Sequence, residues 1–222
     1  MAFALMAAIY LGWRYLWFAR DPARETPAEA GIVSPADGTV VYVKEAGPKE
    51  DVMVIKQGLA AKIEDIVRED IDSSKIIIGI FMSPFDVHYN RAPLNAKVEM
   101  IRSHPGRGPN THMGPMHWRT LIKKSPHYEN SVHIVQNERT VTRFTGEYKN
   151  ESLPFYVVQI GAKTVNGIDS YFRVGDTVKR GEKFGMIRIG SQVDLVLPQR
   201  PGLALRVKAG DRVRAGETIL VQ

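Results

Sequence analysis

The chain has 222 residues, 44% hydrophobic and 24% charged, a mix that supports one large or two small folded domains and excludes general disorder. It contains no cysteine, which removes disulfides, thiol nucleophiles and thiolate metal sites from consideration. A formal charge of +6 points to anionic partners, either nucleic acid or a negatively charged lipid surface.

Ala2 to Phe18 are almost wholly apolar and rich in aromatic side chains, broken by Arg14 and followed by Arg20, Asp21 and Arg24. This predicts a membrane-associated helix over residues 1–19, slightly short of the ~20 residues that span a bilayer comfortably, with Arg14 snorkelling to the headgroups. A secretory signal fits poorly, because no basic segment precedes the apolar run and no small-residue cleavage site follows it. If the helix spans, the basic residues after it place the rest of the chain on the cytoplasmic face of the cell membrane. Residues 20–31, rich in Pro, Glu, Ala and Arg, read as a polar linker, with the folded domain over 32–222.

From there the recurrent signal is short β-branched or alternating runs closed by glycine and proline. Strands are predicted over Thr39–Val43, Lys75–Met82, Ala96–Ile101, Val132–Val135, Phe155–Ile160, Lys183–Ile189, Val193–Leu197 and Thr218–Val221. One helix is predicted where Leu59, Ile63, Ile66 and Val67 recur at helical spacing. The fold class is therefore mainly β. Gly175-Asp176-Thr177-Val178-Lys179-Arg180-Gly181-Glu182 returns as Gly210-Asp211-Arg212-Val213-Arg214-Ala215-Gly216-Glu217, so one supersecondary unit is used twice. Each copy reads as a turn, a short strand and a second glycine turn leading into an apolar strand. The unit resembles the hammerhead of lipoyl and biotinyl-type domains, which implies a barrel-sandwich-hybrid-like β core.

Lys75–Met82 is apolar on both faces and should be a central buried strand. The loop after it carries Asp86, His88 and Arg91. A histidine there exchanges protons near neutral pH, and an arginine grips a carboxylate or phosphate bidentately. Asp37 sits in a Pro-Ala-Asp-Gly turn, where aspartate is also ordinary turn chemistry. Most of the other histidines lie between His104 and Pro126 at spacings that match no compact ligand motif, so no metal is expected and the segment reads as a polar flap.

Near the C-terminus, Gly190-Ser191 stands at the mouth of an apolar run. With 19 glycines and ten serines, roughly one Gly-Ser step is expected by chance, so only its surroundings give it meaning. In a strand, Ser191, Val193, Leu195 and Leu197 share one face and Gln192 and Asp194 the other, which sets the Ser191 hydroxyl against a dry wall. Gly190 can take backbone angles closed to other residues.

Phe18-Ala19-Arg20-Asp21-Pro22, Ser34-Pro35-Ala36-Asp37-Gly38, the run from Phe81 to Pro93, Asn137-Glu138-Arg139 and Gly190-Ser191 together resemble the short form of the phosphatidylserine decarboxylase family, which includes archaetidylserine decarboxylases. The resemblance implies a proenzyme that cuts itself between Gly190 and Ser191 into a β chain, residues 1–190, and an α chain, residues 191–222. Ser191 would become a pyruvoyl cofactor whose ketone binds the substrate amine and accepts the electrons released with carbon dioxide. It assigns His88 to decarboxylation or reprotonation and Asp37 to self-cleavage, as a base or as the orienter of one. Longer bacterial members carry a second histidine where this chain has Arg91. The base for self-cleavage thus stays open between His88 and a histidine of the 104–126 segment, and Arg91 becomes a candidate for holding the substrate carboxylate or phosphate. The implied partners are an anionic serine phospholipid, the membrane surface and a second copy of the chain as a homodimer.

Other readings share single features. A membrane-anchored lipoyl-like adaptor of a transport complex would need a long heptad-rich hairpin, a lysostaphin-type zinc peptidase a His-x-His pair, and a lipoyl carrier a lysine between hydrophobic neighbours on its hairpin turn, none of which is in the sequence. A nucleic-acid partner is disfavoured because the aromatic residues cluster near the N-terminus instead of alternating with basic residues on strands.

Overall fold

A computed structural model describes residues 1–163, 167–188 and 191–222, with only the backbone of Ala2. Helix α1 (Ala2–Gly12) runs into a π-helical segment, Trp13–Phe18. Among the described residues no helix is long and apolar enough to cross a membrane. Strand β1 (Ile32–Val33) is followed by β2 (Gly38–Ala46), the hairpin of β3 (Asp51–Lys56) and β4 (Leu59–Lys62), and the single-turn helix α2 (Ile63–Ile66). Next come β5 (Lys75–Met82), β6 (Tyr89–Arg91), β7 (Ala96–His104), α3 (Gly114–Leu121), the short α4 (His133–Gln136) and a long hairpin of β8 (Arg139–Tyr148) and β9 (Glu151–Gly161). The last third holds β10 (Ile168–Ser170), β11 (Thr177–Val178), β12 (Lys183–Ile187), β13 (Ser191–Pro198), β14 (Arg212–Val213) and β15 (Ile219–Val221). Strand makes up 40% of the chain and helix 15%, so the protein is mainly β.

Eight strands form one curled, half-barrel sheet in the order β11-β7-β8-β9-β13-β5-β2-β14. Its faces carry separate cores. Val40, Ile78, Ile80, Val157, Val193 and Leu195 point to the first, closed by Phe184, Ile187, Leu220 and Val221 from the smaller strands. Tyr42, Ile77, Phe81, Val158, Ile160 and Val196 point to the second, closed by Ile55, Ala61, Ile63, Met116 and Ile134 from the β3–β4 hairpin and the helices. Covered on both sides, β5 is buried at every position, as its unbroken apolar run predicts.

The repeat is visible in three dimensions. Gly175 and Gly210 both have φ +99°, and the closing glycines, Gly181 and Gly216, have φ of +81° and +75°, angles that glycine alone adopts without strain. In each copy the aspartate side chain accepts the N–H three residues earlier, Arg173 by Asp176 and Lys208 by Asp211. The two short strands, β11 and β14, cover opposite edges of the eight-stranded sheet, pairing with β7 and β2. Unpaired edges invite association with other chains, and the repeat ends each side of the sheet in a strand of only two residues.

Two predicted elements change type. Leu59–Val67 is not one helix: Gly58, at φ +74°, turns the chain so that Leu59–Lys62 pairs with Asp51–Lys56, and only Ile63–Ile66 is helical. Val132–Val135 is a helical turn closed by a Gln136 N–H bond to the Val132 carbonyl, since a run as short as Val-His-Ile-Val does not distinguish strand from helix. Strand β12 ends at Ile187, and Ile189 lies outside the described residues. The His104–Pro126 segment, read as a polar flap, sends Met113 and Met116 into the second core and is tied down at Thr111 by Asn137.

Candidate active site

Ser191 opens β13 opposite Met82 of β5 and Gly161 of β9. It is fully buried, on the same sheet face as Val193, Leu195 and Leu197. Its Oγ donates to Met82 Sδ at 3.3 Å. A thioether is a weak acceptor, so the buried hydroxyl has, among the described residues, no strong partner to surrender when it reacts. Asn90 Nδ2 reaches the same sulfur at 3.7 Å, and Asn90 Oδ1 accepts from Gln159 Nε2 at 2.8 Å. Gln159 Oε1 is buried and unpaired. Gly190, the other half of the expected cleavage bond, lies outside the described residues.

His88 is also fully buried, in the loop that joins β5 to β6. Its Nδ1 lies 2.9 Å from the Asp86 carbonyl oxygen, which fixes the proton on Nδ1 and leaves Nε2 as a buried, unpaired lone pair. Phe18 covers the ring at a centroid distance of 4.2 Å. Burial pushes the imidazole down to about 4, against the pull of the Asp86 carbonyl and carboxylate, with Arg20 adding repulsion. His88 is therefore neutral at pH 7, with one nitrogen free to accept a proton. Burial alone would raise the Asp86 carboxyl, but Arg212 and the Ser83 N–H hold it below its usual range.

Asp37 and Arg91 form a second group around the repeat turns. Asp37 Oδ2 accepts from Arg24 at 2.7 Å and Oδ1 from the Ala215 N–H at 2.7 Å, so both oxygens are engaged. Arg91 donates to Asp21 Oδ1 at 2.8 Å and to the Gly181 carbonyl at 2.9 Å, while its backbone N–H bonds the Pro35 carbonyl. The segment read as a linker is thus docked: Arg24 also bonds Glu217 at 3.0 Å, and Arg180 bonds the carbonyls of Pro27 and Glu29. Among the described residues, Ser191 Oγ is paired with Met82 and with no base. The structure connects Ser191 through Met82 and Asn90 to the Pro35 carbonyl, two residues before Asp37.

On the far side of β13 lies a polar cluster that sequence reading does not single out. Gln192 Nε2 donates to Tyr42 Oη at 2.6 Å and to Asp194 Oδ1 at 2.7 Å, Tyr42 donates to Asp194 Oδ2 at 2.8 Å, and His133 Nε2 donates to Gln192 Oε1 at 3.0 Å. All four are buried. Burial lifts Asp194 to about 6, against its donors and the nearby Arg139, and lowers His133 to about 4, against the Gln192 bond. Alternation alone showed that Gln192 and Asp194 share a face. It did not show that the β3–β4 hairpin and α4 would cover that face.

The site thus holds a dry serine at the start of a central strand and a neutral buried histidine in the loop after the neighbouring strand. Comparison with known sequences gives the family. The family described as phosphatidylserine decarboxylase matches residues 11–221, and the chain belongs to that family. It is 36% identical to the putative archaetidylserine decarboxylase proenzyme of Methanopyrus kandleri, over 93% of this chain and 80% of that one. It is 31% identical to the phosphatidylserine decarboxylase proenzyme of Chlorobium luteolum, over 98% and 82%. With that of Ruegeria pomeroyi it shares 33% over 94% and 78%.

Proposed function

We propose that this chain is a proenzyme that cuts itself before Ser191 and then releases carbon dioxide from the serine headgroup of phosphatidylserine or archaetidylserine. The observation that carries the reading is the state of Ser191: a fully buried nucleophile held, among the described residues, by a thioether alone, at the mouth of β13, in a member of this family. The adaptor alternative loses its support with the family match.

In self-cleavage, Ser191 Oγ attacks the Gly190 carbonyl carbon and the Gly190–Ser191 amide becomes an ester. Elimination then expels residues 1–190 as a carboxylate, and hydrolysis of the new terminus releases ammonia and leaves a pyruvoyl group. The surroundings suit such a group: the buried Asn90 Nδ2, held weakly by Met82 Sδ at 3.7 Å and the Pro35 carbonyl at 3.5 Å, is a donor that a ketone oxygen in the place of Ser191 Oγ would accept from. The group supplies a ketone that binds the substrate amine and takes up the electron pair released as carbon dioxide departs. His88 Nε2, neutral and dehydrated, holds or delivers the proton for that step. Asp37, fixed by Arg24, orients the turn whose Pro35 carbonyl accepts from Asn90 beside Ser191. Arg91 binds the headgroup carboxylate or phosphate by exchanging it for Asp21.

The enzyme works at the cytoplasmic face of the cell membrane, anchored by its N-terminal helix, as a homodimer. Exposed Phe3, Leu5, Tyr15 and Leu16 on that helix support the anchor. The matched glycine angles of the two repeats support their assignment as hammerheads of a lipoyl- or biotinyl-type core.

The test is the intact mass of the purified protein beside Ser191→Ala. Two fragments, the smaller lacking a free amine at its N-terminus, against one uncut chain is the expected result. A single wild-type chain with an intact serine would overturn the proposal.

A further inference from the structure

Beside the His88 loop opens a cleft of about 370 Å³ that contains no part of the Ser191 cluster. Phe81, Ser83, Phe85, His117, Leu121 and Arg212 line it. Its outer rim is unusually apolar for a protein surface. Phe85 is 62% exposed, and α3 with the residue after it presents Trp118 at 61%, Leu121 at 67% and Ile122 at 47%. Directly beyond them the exposed Lys123 and Lys124 add positive charge. Large apolar side chains backed by lysines form the pattern that inserts into an anionic bilayer surface, with rings and aliphatic chains at the acyl boundary and ammonium groups among the phosphates.

This rim is continuous with the N-terminal helix. Arg20 donates to the carbonyls of both Trp17, at 2.8 Å, and Phe85, at 2.6 Å, so the end of the helix is pinned to the tip of the cleft loop. Trp17, itself half exposed, stacks under the Arg20 guanidinium at 4.4 Å. The same loop carries His88 three residues after Phe85. A lipid whose tails remain in the bilayer must bring its headgroup to buried residues, and the loop that carries His88 is pinned to the N-terminal helix, so the surface beside that loop is placed to lie against the membrane.

We infer that α3 and the Phe85 loop form a second membrane-binding lip, which seats the cleft on an anionic bilayer beside the N-terminal helix. The inference rests on the proposed lipid substrate, but its test does not depend on turnover. Trp118 becomes the only tryptophan in a Trp13→Phe/Trp17→Phe chain and reports its own depth. Vesicles of brominated phosphatidylcholine with phosphatidylglycerol should quench its emission roughly by half, and added salt should weaken the effect. Ile122→Asp combined with Lys123→Glu and Lys124→Glu should lower vesicle binding about tenfold or more while self-cleavage, followed by mass, continues. Unquenched Trp118 on vesicles that still bind the chain through its helix would overturn the lip. So would shielding of Trp118 from iodide without lipid in a particle of two-chain mass, which would assign the surface to a second copy. Loss of wild-type self-cleavage would instead sink the proposed function.

Discussion

The ring of Phe18, the last residue of the N-terminal helical segment, lies 4.2 Å from the ring of His88 and is itself buried. One contact therefore links the end of the N-terminal helical segment to the group proposed to move the proton. Because burial is the main reason the imidazole stays near 4, Phe18→Ala should admit water and let His88 return towards its ordinary value of 6.5. The acid limb of the decarboxylation rate should then move up by one to two pH units. A profile of rate against pH from 4 to 8 for both proteins gives the answer, and a limb that stays in place would mean that Phe18 does not keep His88 dry.

Arg91 is shared between Asp21 and the Gly181 carbonyl, so a headgroup anion has to compete with Asp21 for it. Arg91→Ala should leave self-cleavage intact and raise KM for the phospholipid. Asp21→Asn, which removes the competitor, should lower KM. Equal KM values for all three proteins would confine Arg91 to holding Asp21 and the docked segment 20–31.

Tyr42 gives its hydroxyl proton to Asp194 and accepts from Gln192, so Tyr42→Phe removes two hydrogen bonds from a sealed cluster. A loss of about 1–3 kcal/mol in denaturant unfolding of the uncut Ser191→Ala chain is expected. Gly79→Ala should do comparable harm by another route, since a Cβ there would collide with the Tyr42 ring. If both variants unfold at the parent midpoint, the cluster does not stabilise the sheet.

His133 offers a pH signature. At about 4 in the fold against an ordinary 6.5, it binds a proton more readily in the unfolded chain, so its stabilising share is complete above pH 6.5 and drains away towards 4. His88 has the same sign, and the partly exposed His104 adds a smaller share. Asp194 runs the other way. Raised from 3.8 to about 6, it takes up its proton first in the fold and offsets part of the loss in that window. His133→Gln keeps a donor for Gln192 but cannot titrate. The slope of unfolding free energy against pH should fall by about 1.4 kcal/mol per unit between 4 and 6.5 in the uncut background. An unchanged slope would show that His133 is already charged in the folded protein.

Much of this was legible in the residues because period and burial coincide. Lys75–Met82 has apolar side chains on both faces, and the face shared by Ser191, Val193, Leu195 and Leu197 followed from alternation alone. The repeated glycine turns announced themselves by identity. Strand β8 was missed because Arg143 and Gly146 interrupt its pattern, although Val141 and Phe144 are fully buried. The Tyr42, Gln192, Asp194 and His133 cluster was hidden for a different reason. Its members come from three distant segments, and only the covering hairpin and helix turn polar side chains into buried ones. The docking of residues 20–31 was equally silent, because a Pro- and Glu-rich stretch carries no sign of which arginines and carboxylates will meet it.

The position of β13 bears on what scission does to the molecule. Ladder bonds grip this strand from both neighbours, β5 along its whole length and β9 from Ser191 to Val196, and β14 and β15 fasten the remainder to β2 and β1. A nick before Ser191 would leave a seam rather than two pieces. The freed end would inherit walls already built around it, and the fragments should come apart only in denaturant.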